Sequence, residues 1–338
     1  MTRRSFSFIT AAGATAAAAA AAAPKSKMGI CSTSYMTFRR IRDTHEFLEH
    51  CAALGAAGIQ AGPPADPARL RKRLDELGMW YEGMVSLPKG DGAGFETQIK
   101  ACKAAGATVV RAGCLLGRRY ETFSTMAEWQ RFVTESKASL KQAIPVLERE
   151  QVTMALENHK DWTADEHIAL LKEYAHERLG ALVDLGNNVA LLDEPHELVD
   201  KLAPYAASTH IKDMAYEEDP AGFRMSEVPL GDGKLDLQRM LKAIRQAKPQ
   251  VRFVLEMITR DPLLVPCLTE KYWETYADRS PRHLARTLAM VRQEKSRGPL
   301  PRFTQLSAVE SFNKQAQLIA EENNIKTCLN YGREQLSL

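Results

Sequence analysis

Three runs decide the fold: Val152-Thr-Met-Ala-Leu-Glu157-Asn-His159, then Ala181-Leu-Val-Asp184-Leu-Gly-Asn187, then Ser208-Thr-His210-Ile-Lys212-Asp213. Each is a short apolar segment ending in a carboxylate or imidazole, and stretches of helical period at 164–178 and 195–205 separate them. Apolar strand, polar end and amphipathic helix, repeated in that order, mark parallel strands joined by helical crossovers. Working outward, the unit recurs, with strands predicted at 28–33, 58–61, 81–87, 108–112 and 253–256. Further helices are predicted at 45–56, 67–77, 95–105, 127–150 and 237–247, with 281–293 completing the ring. Asp66, Thr163 and Asp236 stand where helix N-caps belong, and Gly78, Gly106 and Gly180 where left-handed caps would close helices. Eight strands with eight crossovers close into a (β/α)8 TIM barrel. An open doubly wound sheet would show a glycine-rich phosphate loop after its first strand, whereas Met28-Gly29-Ile30 runs into Cys-Ser-Thr-Ser.

The rest of the chain fits one α/β domain with additions. With 338 residues, 45% of them hydrophobic and 26% charged, it can bury a full core. Lys and Arg number 45 against 42 Asp and Glu, and no block of like charge suggests nucleic acid as a partner. Six cysteines lie far apart with no C-x-x-C pair, so neither a disulfide framework nor a zinc knuckle is indicated. Residues 27–297 are expected to form the barrel, with long loops at 214–236 and 259–279 on its catalytic face. Residues 298–338 are expected to be a C-terminal extension that packs on the barrel or on a second copy in a homo-oligomer. At the N-terminus, Thr2-Arg3-Arg4-Ser5-Phe6-Ser7-Phe8 precedes an uncharged, Ala-rich run to Ala23. Residues 1–26 therefore read as a twin-arginine signal peptide and linker, and the mature protein is expected in the periplasm or outside the cell, without stable membrane insertion.

Strand ends carry the chemistry. The fifth to eighth strands finish at Glu157, Asp184, His210 and, in Val254-Leu255-Glu256-Met257, at Glu256. A parallel barrel brings the carboxyl ends of its strands to one rim, so the four side chains are expected to converge there. Three carboxylates and one imidazole make a hard, oxygen-rich donor set for one divalent ion, with Mn²⁺ favoured and Mg²⁺, Co²⁺ or Zn²⁺ as alternatives. His159 and Lys212 each follow a ligand by two residues, and in extended chain would share its side and reach substrate oxygens. Arg224, in the first long loop, is a further candidate for an anionic or hydroxyl group. Trp162, Tyr35 and Arg111 are candidate pocket walls.

These motifs resemble the xylose-isomerase-like barrel superfamily, which includes sugar isomerases and epimerases, inosose dehydratase, hydroxypyruvate isomerase and an apurinic endonuclease branch. The resemblance spans about Lys27 to Lys295 and rests on Glu157-Asn158-His159, Asp184-Leu-Gly-Asn187, His210-Ile-Lys212-Asp213, Val228-Pro-Leu-Gly-Asp-Gly233 and Glu256. It implies that Glu157, Asp184, His210 and Glu256 bind the ion and that the two glutamates act as acid and base on opposite faces of a substrate. Asn187, expected to bind substrate, stands where sugar epimerases of this group usually carry histidine, a departure from standard ketohexose sites. The implied activity is isomerisation or epimerisation of a sugar or keto-sugar through an enediolate, with a dehydratase or lyase reaction at the same site as the alternative. A non-catalytic sugar binder and an endonuclease rank below both. The endonuclease needs extra histidines that this chain lacks.

Overall fold

The computed structural model describes residues 25–276, 278–293 and 299–338. The twin-arginine stretch lies outside them. Eight short runs form the parallel inner wall: β1 (Gly29–Cys31), β2 (Gly58–Ala61), β3 (Trp80–Met84), β4 (Val109–Ala112), β5 (Thr153–Glu157), β6 (Leu179–Asp184), β7 (Ala206–His210) and β10 (Val254–Leu255). The sheet order is β10-β1-β2-β3-β4-β5-β6-β7, and a parallel bridge between Ile211 and Leu255 joins its two edges. The expected barrel is therefore present.

Helices surround the wall: α1 (Thr44–Ala53), α2 (Pro67–Leu77), α3 (Ala93–Ala104), the single-turn α4 (Arg119–Thr122), α5 (Met126–Glu150), α6 (Ala164–Tyr174), α7 (Pro195–Leu202) and α8 (Leu237–Ala247). Their starts follow local rules. Asp66 accepts from Arg69 N, Asp236 from Arg239 N, and Thr163 forms a reciprocal capping box with Glu166. Gly78 closes α2 in the left-handed region at φ 64°. Gly180 does not cap a helix. It lies inside β6, where a Cβ would come within 2.7 Å of Tyr205 O, and α6 is closed instead by Ala175 at φ 41°.

Both long loops are ordered as sheet. β8 (Asp213–Asp219) and β9 (Gly222–Val228) form an antiparallel hairpin, and β11 (Leu263–Val265) adds to its β9 edge. Single-turn α9 (Glu270–Trp273) and α10 (Pro281–Gln293) follow.

The eighth helix is not the expected one. α10 packs on the β8–β9 hairpin, with Arg292 paired to Glu218 at 2.9 Å, and its Arg286 pairs with Glu197 of α7 at 2.6 Å. The ring is completed by α11 (Glu310–Gln335), which runs between α1 and α8. Glu322 accepts from Tyr35 and pairs with His50 of α1, while Gln238 and Arg245 of α8 donate to Gln335 O and Leu336 O. Ile325, Cys328, Leu329 and Gly332 recur at helical spacing and are buried, with Met28 of the wall touching the Gly332 position. Residues 310–335 of the expected C-terminal extension therefore pack on the barrel. No helix among the described residues is long and apolar enough to cross a membrane.

Candidate metal centre

Glu157, Asp184, His210 and Glu256 leave the carboxyl ends of β5, β6, β7 and β10 and meet inside the rim, with exposures of 1%, 0%, 0% and 4%. One donor atom from each lies within 4.8 Å of the others. Their geometry is built from behind. Asn158 accepts from Asp184 N at 2.8 Å and donates to Asp184 O at 2.9 Å, tying β5 to β6. Asp184 Oδ1 accepts from the backbone N–H groups of Gly186 and Asn187, which leaves Oδ2 for the centre. On the opposite wall, Gln60 Nε2 donates to Glu82 Oε2 at 3.0 Å, so its amide oxygen faces His210. His210 Nε2–H then donates to Gln60 Oε1 at 2.7 Å, and this turns Nδ1 toward the centre as the nitrogen that can bind a proton or an ion.

That Nδ1 has no hydrogen-bond partner and is fully buried. Around it stand Glu157 Oε1 at 3.4 Å, Asp184 Oδ2 at 3.5 Å and Glu256 Oε2 at 3.4 Å. Three buried carboxylate oxygens around one ring nitrogen are costly unless positive charge sits among them, as a proton on that nitrogen or as a bound ion. A coordination radius of about 2.1 Å puts neighbouring ligand atoms roughly 3.0–3.4 Å apart, close to the spacing observed. The residues present therefore fit one divalent ion. Cys31 Sγ lies near the His210 and Glu256 donors and adds a softer atom to that side.

Electrostatics match this arrangement. Burial pushes the Glu157 carboxyl upward, but the Arg111 guanidinium and His210 hold it well below its usual range. The same contest at Glu256 is won by His210 and Lys212. At His210 burial lowers the proton affinity, yet Glu256 and its neighbours raise it well above normal, so an imidazolium takes the cation's place in this state.

The other expected residues divide. Lys212 enters the cluster, 2.8 Å from Asp184 Oδ2 though outside hydrogen-bonding geometry, and donating to Glu256 Oε2. Asn187 bridges Glu157, to which it donates at 3.2 Å, and Lys160, from which it accepts. His159 presents an unpartnered Nδ1, and burial and Lys160 push its imidazole down to about 3, so the ring is neutral. Arg111 forks onto Glu157 Oε2. Arg224 is not at the site. Three residues along β9 from buried Glu227, it falls on the opposite face and pairs with Asp219 at 3.0 Å. Trp162 packs on Trp129 and Phe132, and Tyr35 lies beneath α11, so neither lines the centre.

Sequence reading missed Gln60, Glu82, Thr33 and Lys160. A lone polar residue inside an apolar strand was the available signal for Gln60 and Glu82. Thr33 Oγ1 donates to Glu256 Oε1 at 2.6 Å and also borders a cleft of ≈ 410 Å³ shared with Met36, Arg40, Asp43 and Gly62. The Gly231-Asp-Gly233 loop is held by Asp213, whose carboxylate accepts from Gly231 N and Gly233 N. A Cβ at Gly233 would sit 2.1 Å from Asp213 Oδ1.

A model of the xylose isomerase-like TIM barrel matches residues 48–287. The chain belongs to that family. Over 203 residues it is 27% identical to the 3-oxo-isoapionate decarboxylase of Pectobacterium atrosepticum, covering 59% of this chain and 69% of that protein. A family protein from Mycobacterium smegmatis in complex with magnesium superposes with a TM-score of 0.53 at 18% identity, over 78% of this chain and 97% of that one. A D-psicose 3-epimerase crystallised with D-fructose gives 0.53 at 14% identity, over 79% and 98%. At such identities the two structures share the fold.

Replacing Gln60 by Leu removes the acceptor that sets the His210 tautomer. Mn²⁺ affinity is expected to fall about 10–100-fold while the melting temperature changes little. Unchanged affinity in a Mn²⁺ titration would show that the relay does not orient the ligand.

Proposed function

We propose that the chain is a divalent-metal-dependent isomerase or epimerase of a polyhydroxylated carbonyl compound, working through an enediolate. The buried His210 Nδ1, without a hydrogen-bond partner inside a ring of three carboxylate oxygens at 3.4–3.5 Å, carries this reading. Glu157, Asp184, His210 and Glu256 would hold the ion. When bound, it supplies the positive charge that polarises a carbonyl and stabilises the enediolate. Mn²⁺ is the favoured ion, with Mg²⁺, Co²⁺ and Zn²⁺ as alternatives.

The chain's own groups supply the rest. β5 and β10 stand three places apart around the ring, so Glu157 and Glu256 approach a substrate from different sides. One takes the proton next to the carbonyl and the other returns it. Neutral His159 accepts a hydrogen bond from a substrate hydroxyl, and Arg111 and Lys212 are placed to steady a developing oxyanion. Substrate reaches them through the cleft beside Thr33.

A lyase reading is favoured by the decarboxylase relative. Breaking a carbon–carbon bond needs an electron sink and a proton donor, not a strong base. The export reading of residues 1–26 belongs to this proposal too, since an exported enzyme meets free or oxidised sugars rather than cytosolic phosphates.

Metal analysis of the purified protein, with proton exchange from D₂O into a panel of keto-sugars and sugar acids, tests the proposal. About one ion per chain with deuterium appearing beside a carbonyl supports isomerase or epimerase chemistry. Release of CO₂ or of a β-leaving group without isomerised product selects the lyase. Failure to take up any ion defeats both.

A further inference from the structure

Lys160 follows Glu157 by three residues and has an exposure of only 3%. Its ammonium donates to Asn187 Oδ1, a neutral amide oxygen. The other cations of the chamber each face a carboxylate: Arg111 meets Glu157, Lys212 meets Asp184 and Glu256, and Arg260 meets Glu227 at 2.6 Å. No carboxylate among the described residues is in ion-pair contact with Lys160. Burial, with Arg260 and Lys212 nearby, pushes this ammonium down to about 8, so it is still mostly charged at neutral pH.

A buried ammonium with one neutral acceptor costs free energy that folding does not recover. Such costs persist where a ligand relieves them. A bound divalent ion would sharpen the imbalance, because it shares the charge of Glu157, Asp184 and Glu256 and loosens their hold on Arg111 and Lys212. The carboxylates whose fields reach Lys160 are Glu227 and Asp184, and each is already paired with another cation, Arg260 and Lys212 respectively. With one N–H spent on Asn187, the ammonium has two left to give. Two donors suit the two oxygens of a carboxylate better than the three oxygens and nearly double charge of a phosphate.

We propose that Lys160 forms the subsite for a carboxylate carried by the substrate, so that the enzyme acts on a sugar acid rather than a neutral sugar. This deepens the functional reading above and rests on it for the position of the carbonyl.

The test compares binding of three acid and neutral pairs to the full chain with and without Mn²⁺: 2-ketogluconate and fructose, glucuronate and glucose, galacturonate and galactose. Fructose 6-phosphate serves as the phosphate probe. At least one acid is expected to bind ten or more times more tightly than its neutral partner. Lys160→Met is expected to abolish that preference while keeping the Mn²⁺ stoichiometry and an equal or higher melting temperature. Absence of any acid preference, tighter binding of the phosphate, or a preference retained in Lys160→Met overturns the inference. So does a fall of more than about 5 °C in the variant's melting temperature, which would make Lys160 a structural residue. If no Mn²⁺ binds, the metal reading fails, and the acid preference measured without the ion still decides the role of Lys160.

Discussion

Replacing His210 by alanine is expected to abolish stoichiometric metal binding and to lower turnover at least about a thousandfold, equivalent to about 4 kcal/mol of transition-state stabilisation. The imidazole is the only uncharged donor in the set, and Gln60 holds its Nδ1 toward three carboxylate oxygens. Without it the ion loses a ligand, and Glu157, Asp184 and Glu256 are left to repel one another in a buried space. Elemental analysis and turnover of the variant check this. Retained metal at full stoichiometry would mean that the four-residue centre has been misread. The pH dependence has a definite sign. In the ion-free protein His210 has a raised proton affinity and the glutamates a lowered one, so metal uptake must displace a proton from His210. Affinity should therefore rise with pH through the neutral range and saturate once that proton is lost. A flat profile would contradict the assignment.

Deleting residues 310–338 is expected to prevent folding rather than trim an appendage. α11 buries Ile325, Cys328 and Leu329 in the same core as Met28 and Tyr35, and Glu321 caps the backbone N–H groups of Phe38 and Arg39. Its removal would uncover the seam between α1 and α8. The truncated chain should be insoluble or lack a cooperative melt. Leu329→Ala gives a graded version, with an expected loss of about 2–5 kcal/mol from truncating a leucine that is 1% exposed. A soluble truncation with an unchanged melting temperature would show that the barrel closes without this helix.

These expectations separate two kinds of information in the chain. Strand positions were legible because each strand is a short apolar run bounded by turn signals, and the convergence of the four candidate ligands was legible because a parallel barrel sends the ends of consecutive strands to one rim. Helices α2, α8 and α10 begin and end where local caps and periodicity predict. Whether a helix joins the ring is not a local property. By local pattern 281–293 is the better candidate, being strongly amphipathic where 310–335 as a whole is not. The choice fell to α11 because Gly332 lets it approach Met28 closely, while α10 finds its apolar partner in the hairpin.

The sequence alone determined the eight strands and named four candidate donors at their ends, since both follow from chain-local patterns repeated at a regular interval. Only the tertiary structure decided which groups stand behind those donors. Gln60 and Glu82 come from β2 and β3, and Thr33 follows β1, 150, 126 and 223 residues from their partners His210, Ser208 and Glu256. Spacing in the chain carries no record of contacts made across a barrel. Charge compensation has the same character: Arg111, Lys212 and Arg260 find carboxylates and Lys160 does not, because pairing depends on which side chains face one closed interior.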